Sequence, residues 1–284
     1  MTDFAASERG VSIRNPSTAN FLIDSQDRFN YPGATWSGNF LINKPQSLLN
    51  GFFTRIAPTE ITLDWCVDNI ATDASNNFLT FSVGATTYTA TLPDGQYTVK
   101  LALDTLVVRM NALAIAGHTF LVSNIGVDVP GKVSLADSNP TGFTVLSSPL
   151  QRLLDLKLPS SPQQTYPVNC PNLQRYTYID FISPQLTYNQ DLKDATTAND
   201  TRDVLFRWNF ADTVPNSLDA YGYPILQGYG PFVQLRPIAF PKQIKWDARQ
   251  PIGQVAFQVY GSDGKIVPAD VDFDWRMTLL VSEV

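Results

Sequence analysis

The stretch QVAFQVYGSDGKIVPADVDFDWRMTLL, residues 254–280, decides the fold. Val255, Phe257 and Val259 alternate with Gln254, Ala256, Gln258 and Tyr260. Further on, Val271, Phe273, Trp275, Met277 and Leu279 alternate with Asp270, Asp272, Asp274, Arg276 and Thr278. Successive side chains of a strand point to opposite faces, so an apolar set at a period of two describes a half-buried strand. The Gly261-Ser262-Asp263-Gly264 turn between the runs predicts that it closes a hairpin. Asp270, Asp272 and Asp274 then line the outer face of the last strand. The three carboxylates also invite comparison with a calcium loop. An EF-hand, however, needs a glycine at the sixth position of its loop and a glutamate at the twelfth, and here the residues between the acids are apolar.

Working outward, the rest of the chain repeats the pattern. Phe21-Leu22-Ile23-Asp24 is a short apolar run after an irregular polar opening, and Trp36, Phe40 and Ile42 share one strand face. Ile61, Leu63, Trp65 and Val67 alternate with Thr62, Asp64 and Cys66. Residues 77–92 predict a hairpin turning at Gly84. Thr98 is placed as an N-cap before Leu103, Leu106, Val107, Met110, Leu113 and Ala114, a helical stripe that Gly117 ends. Two short strands, 118–125 and 132–136, follow around Pro130-Gly131. A short helix begins after Ser148 with Pro149 in its first turn. Strands return at 176–182 and 204–210, separated by a polar loop. Residues 211–231 form a long loop rich in Gly, Pro and Tyr, a length that is uncommon unless the loop acts or packs on a neighbour. Ten to twelve strands and two helices are expected, with no fixed repeat.

Composition agrees with a β protein. Of 26 acids only Glu8, Glu60 and Glu283 are glutamate, and aspartate favours turns where glutamate favours helices. The chain carries 20 Pro and 16 Gly, and only 16% of its residues are charged. Helical bundles, coiled coils and Rossmann-like enzymes fit poorly. The net charge of −6, with scattered Lys and Arg, argues against a nucleic-acid-binding surface. Met1–Gly10 is polar and does not read as a signal peptide, and no apolar run is long enough to span a membrane.

Catalytic and metal signals are weak. The single histidine, His118, follows a helix and lacks a G-x-S-x-G elbow, so a structural role is expected. Cys66 and Cys170 are far apart and in no metal spacing; two buried thiols are expected, with a single bridge left open. No catalytic, cofactor or metal residue is assigned. Tyr221, Tyr223, Tyr229 and Phe232 cluster in the long loop. They are read either as a sugar-stacking or protein-contact surface or as rings anchoring the loop on the core. Asn199-Asp200-Thr201 matches a glycosylation acceptor without a context that supports one.

Three segments carry a resemblance. Asn20-Phe21-Leu22-Ile23-Asp24-Ser25-Gln26-Asp27-Arg28 resembles the opening of penton and minor capsid proteins of virophages and polinton-like viruses. Leu92-Pro93-Asp94-Gly95-Gln96-Tyr97-Thr98, with the helix after it, is similar to a segment of the same proteins. Ile244-Lys245-Trp246, Pro251–Gly264 and Asp274–Leu280 with Ser282-Glu283 resemble their closing strands. The resemblance implies a jelly-roll fold, and the order of elements is read as a jelly-roll β-sandwich with a helix-bearing β insertion and long loops, with two packed β modules as the alternative. Its expected parts are an irregular arm at 1–20, a sandwich from 21–67 and 166–284, and an inserted module at 68–165 with one amphipathic helix at 98–116.

The function it implies is that of a non-enzymatic virion structural protein, a penton at the fivefold vertices of a small icosahedral DNA virus. Such a protein assembles in the host cell interior as a homopentamer. Its partners would be a larger double-jelly-roll major capsid protein and other minor capsid proteins, with no membrane span, nucleic acid or cofactor. Phe21, Ile23, Asp24 and Arg28 are the expected assembly-interface residues, as the structured start of the arm. A different minor capsid role, a carbohydrate-binding β-sandwich of a fibre or adhesin, and a β-rich glycosidase are the alternatives.

Overall fold

A computed structural model describes residues 18–30, 36–43, 55–124, 133–187, 204–210, 217–239, 241, 244–245, 254–269, 271 and 273–282. The described residues are mainly β, in four antiparallel sheets. Nine of the described strands form two facing sheets. Sheet A has the order β1 (Thr18–Asp24), β15 (Phe273–Ser282), β3 (Arg55–Trp65) and β12 (Phe232–Pro237), with the short β13 (Ile244–Lys245) also on β3. Sheet B has the order β11 (Val204–Asn209), β10 (Tyr178–Ile182), β14 (Gln254–Gly261) and β2 (Asn39–Asn43). Passing along the chain, successive sandwich strands change sheet at every step except β10 to β11, which pair directly, and β12 to the short β13, which both lie on β3. That alternation is what the two Greek keys of a jelly roll require.

The alternating runs build the sandwich core. Phe273, Trp275, Met277, Leu279 and Val281 of β15 face inward onto Val255, Phe257 and Val259 of β14 and onto Ile179 and Phe181 of β10. Trp275 sits among Phe181, Phe40 and Phe257, with ring centroids 5.0, 5.6 and 5.6 Å away. Its indole N–H donates to the Ser37 carbonyl at 2.9 Å, which satisfies the one polar atom of a buried ring. Proline is rare in an interior strand because it cannot donate to the ladder. Pro58 is accommodated in β3 because the register against β15 shifts there, Thr278 facing Glu60 and Leu279 facing Pro58.

One expectation fails in an instructive way. β14 and β15 are not hairpin partners; they belong to opposite sheets. The Gly261–Gly264 turn does close, with the Gly261 N–H on the Lys265 carbonyl and the Val267 N–H on the Val259 carbonyl. What it folds back is the short segment 265–267, after which the chain crosses to sheet A. Period-two patterning reports which face is buried, and two strands of a sandwich bury the same core whether or not they pair.

A second apolar cluster gathers β4 (Phe78–Val83), β5 (Thr86–Thr91), α1 (Val99–Asn111), β6 (Phe120–Asn124), β7 (Val133–Asp137), β8 (Thr144–Val145), α2 (Pro149–Leu153) and β9 (Thr165–Pro167). The small sheets β5-β4-β8 and β6-β7-β9 flank the helices. A further short helix, α3 (Pro184–Thr187), follows β10. Thr98 caps α1 as expected, its side chain accepting from the Leu101 N–H. The helix ends sooner than its apolar stripe suggests, at Asn111. The Asn111 amide donates to the Phe120 carbonyl and accepts from the Phe120 N–H, both at 2.8 Å, which pins the chain to β6. Ala114 then takes a positive φ and Leu113 is exposed.

Candidate functional site

The chain carries two built features at the margins of the sandwich. The first is the β1 segment. β1 lies antiparallel on β15 in continuous register from Thr18 facing Ser282 to Asp24 facing Arg276. A 3-10 turn, Ser25–Asn30, follows. Phe21 and Ile23 face inward, Ile23 fully buried and Phe21 packed against the sandwich core. The Asp24 carboxylate accepts from Arg276 Nε at 2.7 Å and from the Gln26 N–H at 2.9 Å. Arg28 Nη1 donates to Asp274 Oδ1 and to the Ser25 carbonyl, both at 2.7 Å. Asp274 also receives the Ser25 hydroxyl at 2.9 Å and the Gln26 amide at 3.2 Å. Burial pushes the Asp274 carboxyl up, but the hydrogen bonds from Arg28, Gln26 and Ser25, with the Arg28 charge, outweigh it and hold it below the usual carboxylate range.

The expected interface residues Asp24 and Arg28 thus direct their charges into their own chain, where they seat β1 and its turn. Asp274 sits half-buried on the outer face of its strand as the acceptor of that turn. Asp270 and Asp272 lie outside the described residues, as does most of the expected 1–20 arm; its last residues, 18–20, already belong to β1.

The second feature is a strap, residues 217–230, between β11 and β12. It leaves the sandwich and packs on the second cluster. Asp219 is its centre. One carboxylate oxygen accepts from the Tyr221 and Tyr223 N–H groups at 2.9 and 3.0 Å, and the other from the Lys100 N–H in the first turn of α1 at 2.8 Å. An anion there also meets the positive end of the helix dipole.

Three tyrosines peg the strap down. Tyr221 donates to Asp104 at 2.5 Å, and burial together with that carboxylate pushes its phenol up to about 12. Tyr223 donates to the Val168 carbonyl at 2.7 Å. The Tyr229 hydroxyl accepts from the Leu173 N–H at 2.9 Å. Tyr223 and Tyr229 are buried, with phenols pushed up by desolvation. At Gly228 the chain turns with φ near +90° while passing over Phe210 and Trp65, a conformation that side chains rarely adopt. Phe232, at the end of the strap, stacks on Trp208 and meets Phe210.

These positions bear on the expected aromatic surface. The Tyr223 and Tyr229 rings are part of the core and offer no face to a sugar; Tyr221 and Phe232 are half-buried. His118 is also inside: Nδ1 lies 2.5 Å from Asp137 Oδ2, and Nε2 faces the Asn139 amide. Cys66 and Cys170 are exposed and not joined in a disulfide, which corrects the expectation of buried thiols. The alternation of β3 carries past its end and puts Cys66 on the outer side with Asp64. Among the described residues no three His, Cys, Asp or Glu side chains gather in a way that would hold a metal ion, and no helix is long and apolar enough to cross a membrane.

Residue-type reasoning passed over a third feature, two exposed apolar rows on sheet A. Leu22 of β1 is 72% exposed, and Val233 and Leu235 of β12 are 70% and 57% exposed. Their signal in the sequence is faint, a Val-x-Leu pair between Pro231 and Pro237.

No protein-family profile and no curated protein matches the chain. Its fold is similar to the crystal structure of the selenomethionine-labelled mavirus penton protein, with a TM-score of 0.54 and 9% sequence identity. The match covers 95% of this chain and 100% of that one. At that identity the likeness establishes a shared fold.

Proposed function

We propose that the chain is a virion structural protein, the penton at the fivefold vertices of a small icosahedral DNA virus. It acts by assembling into pentamers and by contacting a larger major capsid protein, and it performs no catalysis. The observation that carries this is the extent of the fold match: it takes in the whole of the mavirus penton protein and 95% of this chain, so the helix-bearing part is included with the sandwich. Fold alone does not assign function, and other features add support. The chain is acidic and lacks a basic block for packaging a genome. A low charge fraction and exposed apolar side chains suit a surface that neighbours cover.

In this role residues 68–165 form an inserted module, and the strap fixes it to the sandwich. The protein is placed in the capsid, assembled inside the host cell. The test is mass in solution by sedimentation together with averaged images of purified particles. Pentamers, and density for the chain at the vertices, are expected. A stable monomer absent from purified virions would overturn the assignment.

A further inference from the structure

The two edges of sheet A fit each other. β12 has β3 on one side and, among the described residues, no strand on the other. The Ile238 N–H donates to the Thr59 carbonyl at 2.8 Å, and the register from Phe232 to Pro237 is unbroken. Backbone groups alternate in direction along an antiparallel strand. Phe232, Gln234 and Arg236 therefore bond inward to β3, and Val233 and Leu235 direct N–H and C=O outward. Pro231 and Pro237, on the outward alternation at either end, have no N–H to offer. What remains is a short uncharged window with two exposed apolar side chains.

β1 is the opposite edge. The Trp275 N–H points to the β1 side, onto the Ser25 hydroxyl at 2.9 Å. By the same alternation Met277 and Leu279 bond to Ile23 and Phe21, which leaves the Leu22 and Asn20 backbone groups facing outward. On both edges the residues whose backbone points outward are those whose side chains lie on the outer face. β1 and β12 also run in opposite directions, because three antiparallel pairings separate them. A second copy placed edge to edge would therefore match in hydrogen-bond phase, strand sense and sheet face. Any mismatch of phase would turn one sheet over.

We propose that the β12 edge of one copy takes the β1 edge of the next as its neighbouring strand, so that sheet A continues antiparallel from copy to copy. The contact is heterologous, using different surfaces on the two partners, and so generates rings or open chains. Leu22 of one copy lies against Leu235 or Val233 of the next. The inference deepens the assembly reading and rests on it.

The experiment uses two full-length variants, Leu22→Lys and Leu235→Lys, each placing a charge on one edge. Both sites are exposed in the single chain, so each variant keeps the wild-type circular dichroism spectrum and the melting temperature of wild type diluted to monomer. Sedimentation of each variant alone gives monomer where the wild type gives a larger species. An equimolar mixture gives a dimer and nothing larger, through the one edge that each partner retains. Wild-type-sized assemblies from either variant, or a mixture that stays monomeric, would overturn the edge contact and leave the capsid role standing. A wild type that never assembles would overturn both.

Where either lysine variant melts early, Leu22→Cys chains are mixed under oxidation with Leu235→Cys or with Val233→Cys chains, Cys66 and Cys170 being changed to Ser, and the pair that the register brings face to face is the one read. Directly bonded residues of antiparallel strands lie about 5.5 Å apart at Cα, within disulfide reach. The mixed cross-link is expected to exceed either self-cross-link, and equal yields would refute the pairing.

Discussion

Replacing Asp219 by alanine tests whether the strap holds to the second core through one carboxylate. The side chain serves three backbone donors, Lys100, Tyr221 and Tyr223, at 2.8–3.0 Å. A hydrogen bond to a charged group contributes about 1.5–3 kcal/mol when buried. Here the groups are part-buried, and water replaces some of each loss, so about 1 kcal/mol per donor is appropriate. The total, about 3 kcal/mol, corresponds to a fall in melting temperature of about 6 °C at roughly 2 °C per kcal/mol for a chain of this size. Asp219→Asn keeps one carbonyl oxygen, which serves the tyrosine N–H pair or the helix N–H but not both, so its loss is smaller. Calorimetry gives the stability change, and amide exchange locates it. The Lys100 amide and the strap exchange faster in the variant, while the amides of β14 and β15 keep their protection. An Asp219→Ala protein that melts within about 1 °C of wild type, with Lys100 still protected, would refute the account.

Three further outcomes follow from the same geometry. Asp180 is buried and takes both arms of Arg207, at 2.7 and 2.8 Å, so Arg207→Met leaves an uncompensated carboxylate and costs about 3–5 kcal/mol by urea unfolding. Tyr229→Phe orphans the Leu173 N–H and costs about 1–2 kcal/mol, with no change expected at neutral pH in the sandwich signals of an exchange experiment. The lowered Asp274 carboxyl gives an acid dependence: its bonds contribute fully above the unfolded value of about 4 and are lost as pH falls through the lower folded value. Relative to wild type, Asp274→Asn is therefore less stable at neutral pH, and the gap closes in acid; a gap that stays constant down to pH 2 would contradict it.

Much of the sandwich was legible because its strands are half-buried, and half-burial writes a period of two. Trp275 and Phe257 face inward from opposite sheets, as their alternation requires. Strand pairing was not legible: alternation says which side is apolar, and β14 and β15 share a core without sharing a ladder. The strap was visible as a loop that needed a reason, but not as a peg in a particular core. Tyr223 and Tyr229 hydrogen-bond to Val168 and Leu173, more than fifty residues away, and no local pattern encodes such contacts. Asp24 and Arg28 were legible as part of the structured start of the arm, yet their partners Arg276 and Asp274 lie at the other end of the chain. Leu22 and Leu235 went unremarked because a single exposed leucine is ordinary; only the strand order shows that they sit on the two edges of one sheet.

The preference for aspartate over glutamate acquires a physical cause from these contacts. Asp24 accepts from the Gln26 N–H, Asp94 from Thr72, Asp137 from Thr119 and Asn139, Asp155 from Cys170, Asp263 from Lys265, and Asp219 from three donors. A chain of short strands joined by many turns leaves N–H groups outside any ladder, and buried ones need partners. At Asp24, Asp137, Asp219 and Asp263 the donor is two residues on, and aspartate serves it because its oxygens stand close enough to its own backbone to close such a turn. Glutamate carries one more methylene, loses more rotamer freedom on being fixed, and overshoots those donors. Many of the acids are thus taken up within their own chain, by turns and by Arg28, Arg207 and Arg276. Asp64, Asp274 and Arg276 place their charges on the outer face of the central strands β3 and β15, whereas Leu22, Val233 and Leu235 stay bare on the two edges of the same sheet, where a neighbouring strand can meet them.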